Sequence, residues 1–180
     1  MKHFLLTIMF ISATVVSAEN TSVLKSLEIF ARQGELSAQM KLANAYRKGI
    51  GVSQDYKTAV KWFTLAARQG NAGAQYNLGV MHSFGLGVVP DYKPAVKWYS
   101  LAAKQGHTLA QYNLGRLYYL GQGVSENMIY AHMWTKQASS NGFVMGEELN
   151  ELLSELMTSS QIEDAHKLGK QCLATDYREC

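Results

Sequence analysis

The chain has 180 residues, 47% of them apolar, and a formal charge of +3 at neutral pH. That length suits one domain, and a charge so near balance gives no ground for a nucleic-acid partner. No Gly-x-Ser-x-Gly, His-Glu-x-x-His or phosphate-loop pattern is present, so the common hydrolytic and nucleotide-binding sites are excluded.

Residues 1–18 read as an export signal. Lys2 gives a positive start, Phe4 to Val16 is apolar, and Val16-Ser17-Ala18 supplies small residues for cleavage. The run falls short of the ~20 apolar residues that span a bilayer, which favours a cleaved signal over a membrane anchor. No cysteine near Ala18 offers a lipid attachment point, and no twin arginine precedes the run. The expectation is a bacterial protein of the periplasm or exterior, with no stable membrane insertion after cleavage. Loss of Lys2 lowers the formal charge by one.

From Gln33 onward a block of about 36 residues occurs three times, the signature of a solenoid. Gln33-Gly34, Gln69-Gly70 and Gln105-Gly106 open the copies, placed at 33–68, 69–104 and 105–140. Trp62, Trp98 and Trp134 share one repeat position, and Gly49/Gly51, Gly85/Gly87 and Gly121/Gly123 share another. In the second copy Ala74, Leu78 and His82 fall on one face of a first helix. Gly79 on that helix is expected to let another backbone approach. Gly85 and Gly87 end the helix and turn the chain. Asp91 N-caps a second helix that tolerates Pro94 in its first turn and buries Ala95, Trp98, Tyr99 and Ala102. Asp55 and Asn127 are the equivalent caps.

The ends depart from the repeat, as solenoid ends do. Residues 19–32 match a second helix alone and form an N-terminal half repeat. Residues 141–180 form C-terminal capping helices, so 19–180 is expected to be a single all-α, α/α superhelical solenoid. One capping helix carries Leu149, Leu152, Leu153 and Leu156. The last runs from about Gln161 to Leu173, opened by a capping box of Thr158 with Gln161 or Ser160 with Glu163. Its stripe of Ile162, Ala165, Gly169 and Cys172 faces inward. Cys172 and Cys180 are the two cysteines. In an exported chain they suggest a disulfide that pins the tail, and in a reducing compartment two thiols.

Ala-Gln-x-x-Leu-Gly, Gly-x-Gly-Val, Asp-Tyr-x-x-Ala and Trp-Tyr-x-x-Ala-Ala, read at Ala74–Gly79, Gly85–Val88, Asp91–Ala95 and Trp98–Ala103, resemble the Sel-one-like repeat (SLR) family. The resemblance is strong over 33–140. It implies a tetratricopeptide-like α solenoid that binds a protein or peptide in envelope signalling or host contact, with no catalytic residue, cofactor or metal. A cysteine-rich secreted branch is linked to β-lactam binding. That branch carries a cysteine pair in each repeat, and this chain has none within its repeats. The compartment and the analogy with that branch give the alternative function, a cell-wall ligand-binding protein or hydrolase acting on peptidoglycan or β-lactams.

By analogy with tetratricopeptide folds, first helices line the concave surface. Four rows lie beside the packing stripe there: Met40, Tyr76 and Tyr112; Lys41, Asn77 and Asn113; Asn44, Val80 and Arg116; Arg47, Ser83 and Tyr119. Aromatic, amide and guanidinium groups suit recognition of an extended peptide. The candidate peptide-binding residues are Tyr76, Asn77, Tyr112, Asn113, Arg116 and Tyr119, with inter-repeat packing as the other reading of the tyrosines. The tryptophans and His82 are read as core packing. Lys57, Lys61, Lys93 and Lys97 are read as a solvated outer face, whereas Ile129 and Met133 at equivalent positions suggest packing beneath the cap. The oligomeric expectation is a monomer or weak self-association.

Overall fold

The computed structural model describes residues 22–175 and 177. The export signal, residues 1–18, lies outside the described residues, as does Cys180. The described chain is helical with no strand: α1 (22–32), α2 (Leu36–Lys48), α3 (Tyr56–Arg68), α4 (Ala72–Phe84), α5 (Tyr92–Ala103), α6 (Thr108–Leu120), α7 (Met128–Ser140), α8 (Val144–Leu156) and α9 (Ser159–Ala174). Helices α2/α3, α4/α5 and α6/α7 pair within repeats, and α3/α4 and α5/α6 pack between them. The fold is an all-α repeat solenoid.

Each hairpin is built by the same local chemistry. Gly49, Gly85 and Gly121 cap α2, α4 and α6 at φ 70°, 69° and 61°, where a side chain would be strained. The loop then closes on itself. The amides of Asp55, Asp91 and Asn127 donate to the carbonyls of Tyr46, His82 and Tyr118 at 2.9, 3.0 and 3.0 Å. The side chains of those three residues accept from amides in the first turns of α3, α5 and α7 and so satisfy orphan donors. The second loop glycines, Gly51, Gly87 and Gly123, also hold positive φ, and two of them do a further job. A Cβ on Gly87 would collide with the backbone of Tyr56, and one on Gly123 with that of Tyr92. These glycines therefore let each loop rest on the preceding repeat's second helix.

The core alternates small and large residues. Ala59, Phe63 and Ala66 of α3 face Ala74 and Leu78 of α4, and Ala95, Tyr99 and Ala102 of α5 face Ala110 and Leu114 of α6; all are buried. Trp134 is buried at 2% exposure, whereas Trp62 and Trp98 are partly buried against the same clusters. Gly79 makes room for a ring rather than a backbone: its missing Cβ would lie 2.5 Å from Cδ1 of Tyr99. Gly115 does meet backbone, with the Ala131 carbonyl at 3.0 Å and Thr135 Cγ2 at 2.7 Å from its Cβ position.

A chain of buried glutamines locks one repeat to the next. Gln39, Gln75 and Gln111 donate to last-turn carbonyls of Ala31, Ala67 and Ala103 at 3.0, 3.2 and 3.3 Å. Their carbonyl oxygens accept from Gln69, Gln105 and Asn141 at 2.8, 2.7 and 3.0 Å. The Gln-Gly signature thus ends a helix and also secures the helix one repeat back.

The C-terminal cap breaks the pattern. Helix α9 packs mainly on α7, and its first turns meet the end of α8 through Leu153, Met157, Ile162 and Ala165. It begins two residues earlier than expected, at Ser159, behind the Thr158/Gln161 capping box. Met133 is buried opposite Gly169, and Cys172 is fully buried. The tail turns back at Tyr177, whose ring stacks on Trp134 at 5.9 Å and whose hydroxyl donates to Gln137 Oε1 at 3.2 Å.

Replacing Gln75 with Leu should destabilise the protein by about 1–3 kcal/mol, because it removes the two inter-helix hydrogen bonds that this buried amide makes to Ala67 and Gln105. Adding Gln105→Leu should then cost much less than it does alone, since both act in one bond network. Urea titration of both single variants and the double variant measures this, and strictly additive losses would contradict the locked chain.

Candidate functional site

First helices α2, α4 and α6 present the predicted rows on a common face, and α4 and α6 touch across it. The structure divides the candidate residues by what their side chains already contact. Tyr76 stacks on His107 with ring centres 4.6 Å apart, and Tyr112 meets Phe143 edge-on at 5.1 Å. His107 and Phe143 stand just before α6 and α8, so both tyrosines fill the same seam between successive repeats. Burial pushes the Tyr76 phenol above its usual range. Tyr119 is partly buried against the α8–α9 cluster. Asn77 donates to the carbonyl of Gly73 in its own helix at 2.7 Å.

Asn113 and Arg116 are brought together in a cleft of about 70 Å³ between α4, α5 and α6. Ser83, Tyr92, Tyr99 and Gln122 line it with them, and Phe84 stands at its edge. The cleft follows from two changes at repeat positions. Tyr99 replaces Phe63 and adds a hydroxyl, and Gly79 replaces Ala43 and admits the ring. Burial pushes the Tyr99 phenol up to about 12, with Ser83 and Arg116 opposing the rise. Tyr99 therefore stays protonated at neutral pH and remains a donor. Ser83 Oγ is buried without a hydrogen-bond partner among the described residues. The Arg116 guanidinium lies 5.9 Å over the Tyr112 ring and is exposed. Hydroxyl, amide and guanidinium donors thus converge on one small cleft, and such a set binds an acceptor such as a carbonyl or carboxylate.

One row was missed by sequence reasoning. Lys48, Phe84 and Leu120 are the last residues of α2, α4 and α6, immediately before the capping glycines. Phe84 is 69% exposed and Leu120 48%. Leu152 and Leu156 of α8 are exposed as well. The usable signal was the repeat register itself, in which large apolar residues recur outside the packing stripe. On α2 a shallower groove of about 310 Å³ runs along Met40, Lys41, Asn44, Lys48 and Ile50.

A second cavity, about 160 Å³, lies away from these rows between α7 and α9. His132 borders it, with its ring 5.4 Å from that of His166 and its Nε2 3.0 Å from Ser154 Oγ. Among the described residues no group of three His, Cys, Asp or Glu side chains is placed to hold a metal. Burial lowers the His132 pKa to about 4, and the positive charges of His166 and Lys136 add to the shift. His82 packs partly buried, as read from the sequence, and its Nδ1 is buried with no hydrogen-bond partner among the described residues.

Three Sel1 repeats match the chain at residues 36–71, 72–107 and 108–143. These segments begin at first helices, whereas the sequence reading began each copy at the Gln-Gly turn. The chain is similar to c5321, described as a protective antigen of uropathogenic Escherichia coli strains displaying an SLR fold. The identity is 29% and the TM-score 0.65 over 86% of this chain, which spans 42% of that protein. It is also similar to a Sel1 repeat protein from Oxalobacter formigenes, at 35% identity and a TM-score of 0.65, over 71% of this chain and 96% of that one. No protein with a curated description matches the chain.

The His132 shift fixes the sign of a pH dependence. A histidine held below its ordinary value of 6.5 binds fewer protons folded than unfolded, so its stabilisation is present above pH 6.5 and is lost as pH falls towards about 4. His82 and His107, also lowered by burial, act in the same direction. The melting temperature should fall through that window, and His132→Gln should flatten the fall. A wild-type slope in the variant would remove His132 as its main source.

Proposed function

The chain belongs to the Sel1 repeat family, and on that premise we propose that it is an exported scaffold that holds a segment of another protein against the face formed by α2, α4 and α6. Family membership points to a protein–protein interaction scaffold, and the family is generally non-enzymatic. The observation that carries the site is the convergence of Ser83, Tyr99, Asn113 and Arg116 on one cleft, in which Ser83 Oγ is buried without a partner among the described residues. A buried hydroxyl without a partner costs stability, and a partner's carbonyl or carboxylate would satisfy it. Tyr76 and Tyr112 then serve mainly to hold the seam in register, and Asn113 and Arg116 make the contacts.

Export is supported by Lys2, the apolar run Phe4–Val16 and the Val16-Ser17-Ala18 site. Among the described residues no helix is long and apolar enough to cross a membrane. Similarity to a protein described as a protective antigen also favours a location outside the cytoplasm. In that oxidising setting a Cys172–Cys180 disulfide would hold the tail where Tyr177 covers Trp134.

Crosslinked capture from the cell envelope, using the chain from Glu19 onward, tests the scaffold. One dominant protein should be recovered, and Asn113→Ala with Arg116→Ala should reduce its recovery about tenfold or more at an unchanged melting temperature. Undiminished capture by the double variant would place the partner elsewhere on the protein.

A further inference from the structure

We propose that the segment held on the first-helix face is acidic, with a carboxylate seated in the α4–α6 cleft against Arg116 and an apolar side chain resting on Phe84 and Leu120. The inference rests on the scaffold reading and adds the chemistry of its partner. Helices α2 to α7 contain no Asp or Glu. The carboxylates of this stretch, Asp55, Asp91 and Glu126, lie in the loops, and the first two are engaged as N-caps. Among the described residues the ion pair formed is Arg32–Glu28, so Lys41, Lys48 and Arg116 on this face have no counter-charge within the repeats. Lys57, Lys61, Lys93 and Lys97 on α3 and α5 share the sign of charge and are likewise exposed. The first-helix face combines cations with a donor-lined cleft free of carboxylates and exposed apolar side chains, whereas the groove lined by Arg32, Lys61 and Leu65 holds its own carboxylate, Glu28.

The donor set also discriminates by geometry. Ser83 and Tyr99 offer hydroxyls from the cleft wall, and Asn113 and Arg116 offer N–H groups from α6. No carboxylate lines the cleft to compete for them. A carboxylate accepts several such bonds at once, and its bonds to a guanidinium are roughly twice as strong as neutral ones. Phe84 and Leu120 occupy one repeat position on neighbouring first helices, so an apolar side chain beside the acidic one would find cover between them. The face changes sign at α8, where Glu148 and Glu155 continue the rows of Tyr112 and Tyr119. An acidic segment is therefore confined to α2, α4 and α6, which sets the direction in which it lies.

The test pans a phage library of random dodecapeptides on the chain from Glu19 onward, then measures the best enriched peptide by fluorescence anisotropy. Enrichment of Asp or Glu beside aliphatic or aromatic residues is expected, with affinity falling as salt is raised. Arg116→Gln should weaken that peptide about tenfold and Phe84→Ser several-fold, while Lys97→Gln, the same charge change on the outer face, should leave it within about twofold. Acidic peptides that bind Arg116→Gln as tightly as wild type would overturn the proposal. Enriched peptides without acidic bias that still lose affinity on Phe84→Ser would overturn it too, while leaving the scaffold reading intact. Failure of both peptide enrichment and envelope capture would remove the two readings together.

Discussion

The structure depends on how one repeat is secured to the next. Neither helix of a pair can bury its apolar stripe within its own repeat, so the stripe alone would allow neighbours to slide. The glutamines remove that freedom. An amide of fixed length, donating to a last-turn carbonyl and accepting from the following Gln-Gly turn, satisfies its bonds in one register only. Because these groups are buried, slipping by a turn would strand both a donor and an acceptor, at a cost of about 1–3 kcal/mol for each. Apolar area supplies the drive to stack, and the amide chain selects the register.

That register gives the first-helix face its meaning. Residues one repeat apart, such as Asn77 and Asn113 or Phe84 and Leu120, line up as rows only because α4 and α6 are held in phase. Against such a frame, changes at two repeat positions produce a local site. Exchanging Phe63 for Tyr99 brings a hydroxyl to the surface of the core, and exchanging Ala43 for Gly79 gives its ring room. Together they convert an inter-helix seam into a cleft with donors.

The architecture was legible in the sequence because it is written in residues with few alternatives. Gly85 and Gly87 are needed for positive φ and Asp91 for capping, each the role its position suggested, whereas the contact of Gly87 with the Tyr56 backbone emerges only from the stacked repeats. The α9 capping box and the packing of Met133 beneath the cap were legible for the same reason. The site was less so. Tyr76 and Asn77 sit on the expected face, yet whether their polar atoms are free depends on His107 and Gly73, contacts that spacing along one helix does not reveal. Gly79 was assigned to a backbone contact because glycine reports only that something comes close, and the object here is the Tyr99 ring. Phe84 and Leu120 escaped notice because they lie off the stripe, where periodicity assigns solvent.

The cap shows why an end of a solenoid is also a boundary of its function. At the α8 position equivalent to Leu114, Asn150 donates to the His132 carbonyl at 2.8 Å and to Thr135 Oγ1 at 3.0 Å, so α8 is held by polar contacts where earlier first helices used leucine. Helix α9 then crosses onto α7 instead of completing a fourth pair. Glu147 and Glu151 occupy the positions of Gln111 and Gly115, which are buried in the repeat before; here they are exposed. A further repeat stacked on this end would have to bury those carboxylates without partners, which is costly. Glu148 and Glu155 on the same helix place negative charge in the rows of Tyr112 and Tyr119, so the element that ends the solenoid also limits how far along it an acidic partner can extend.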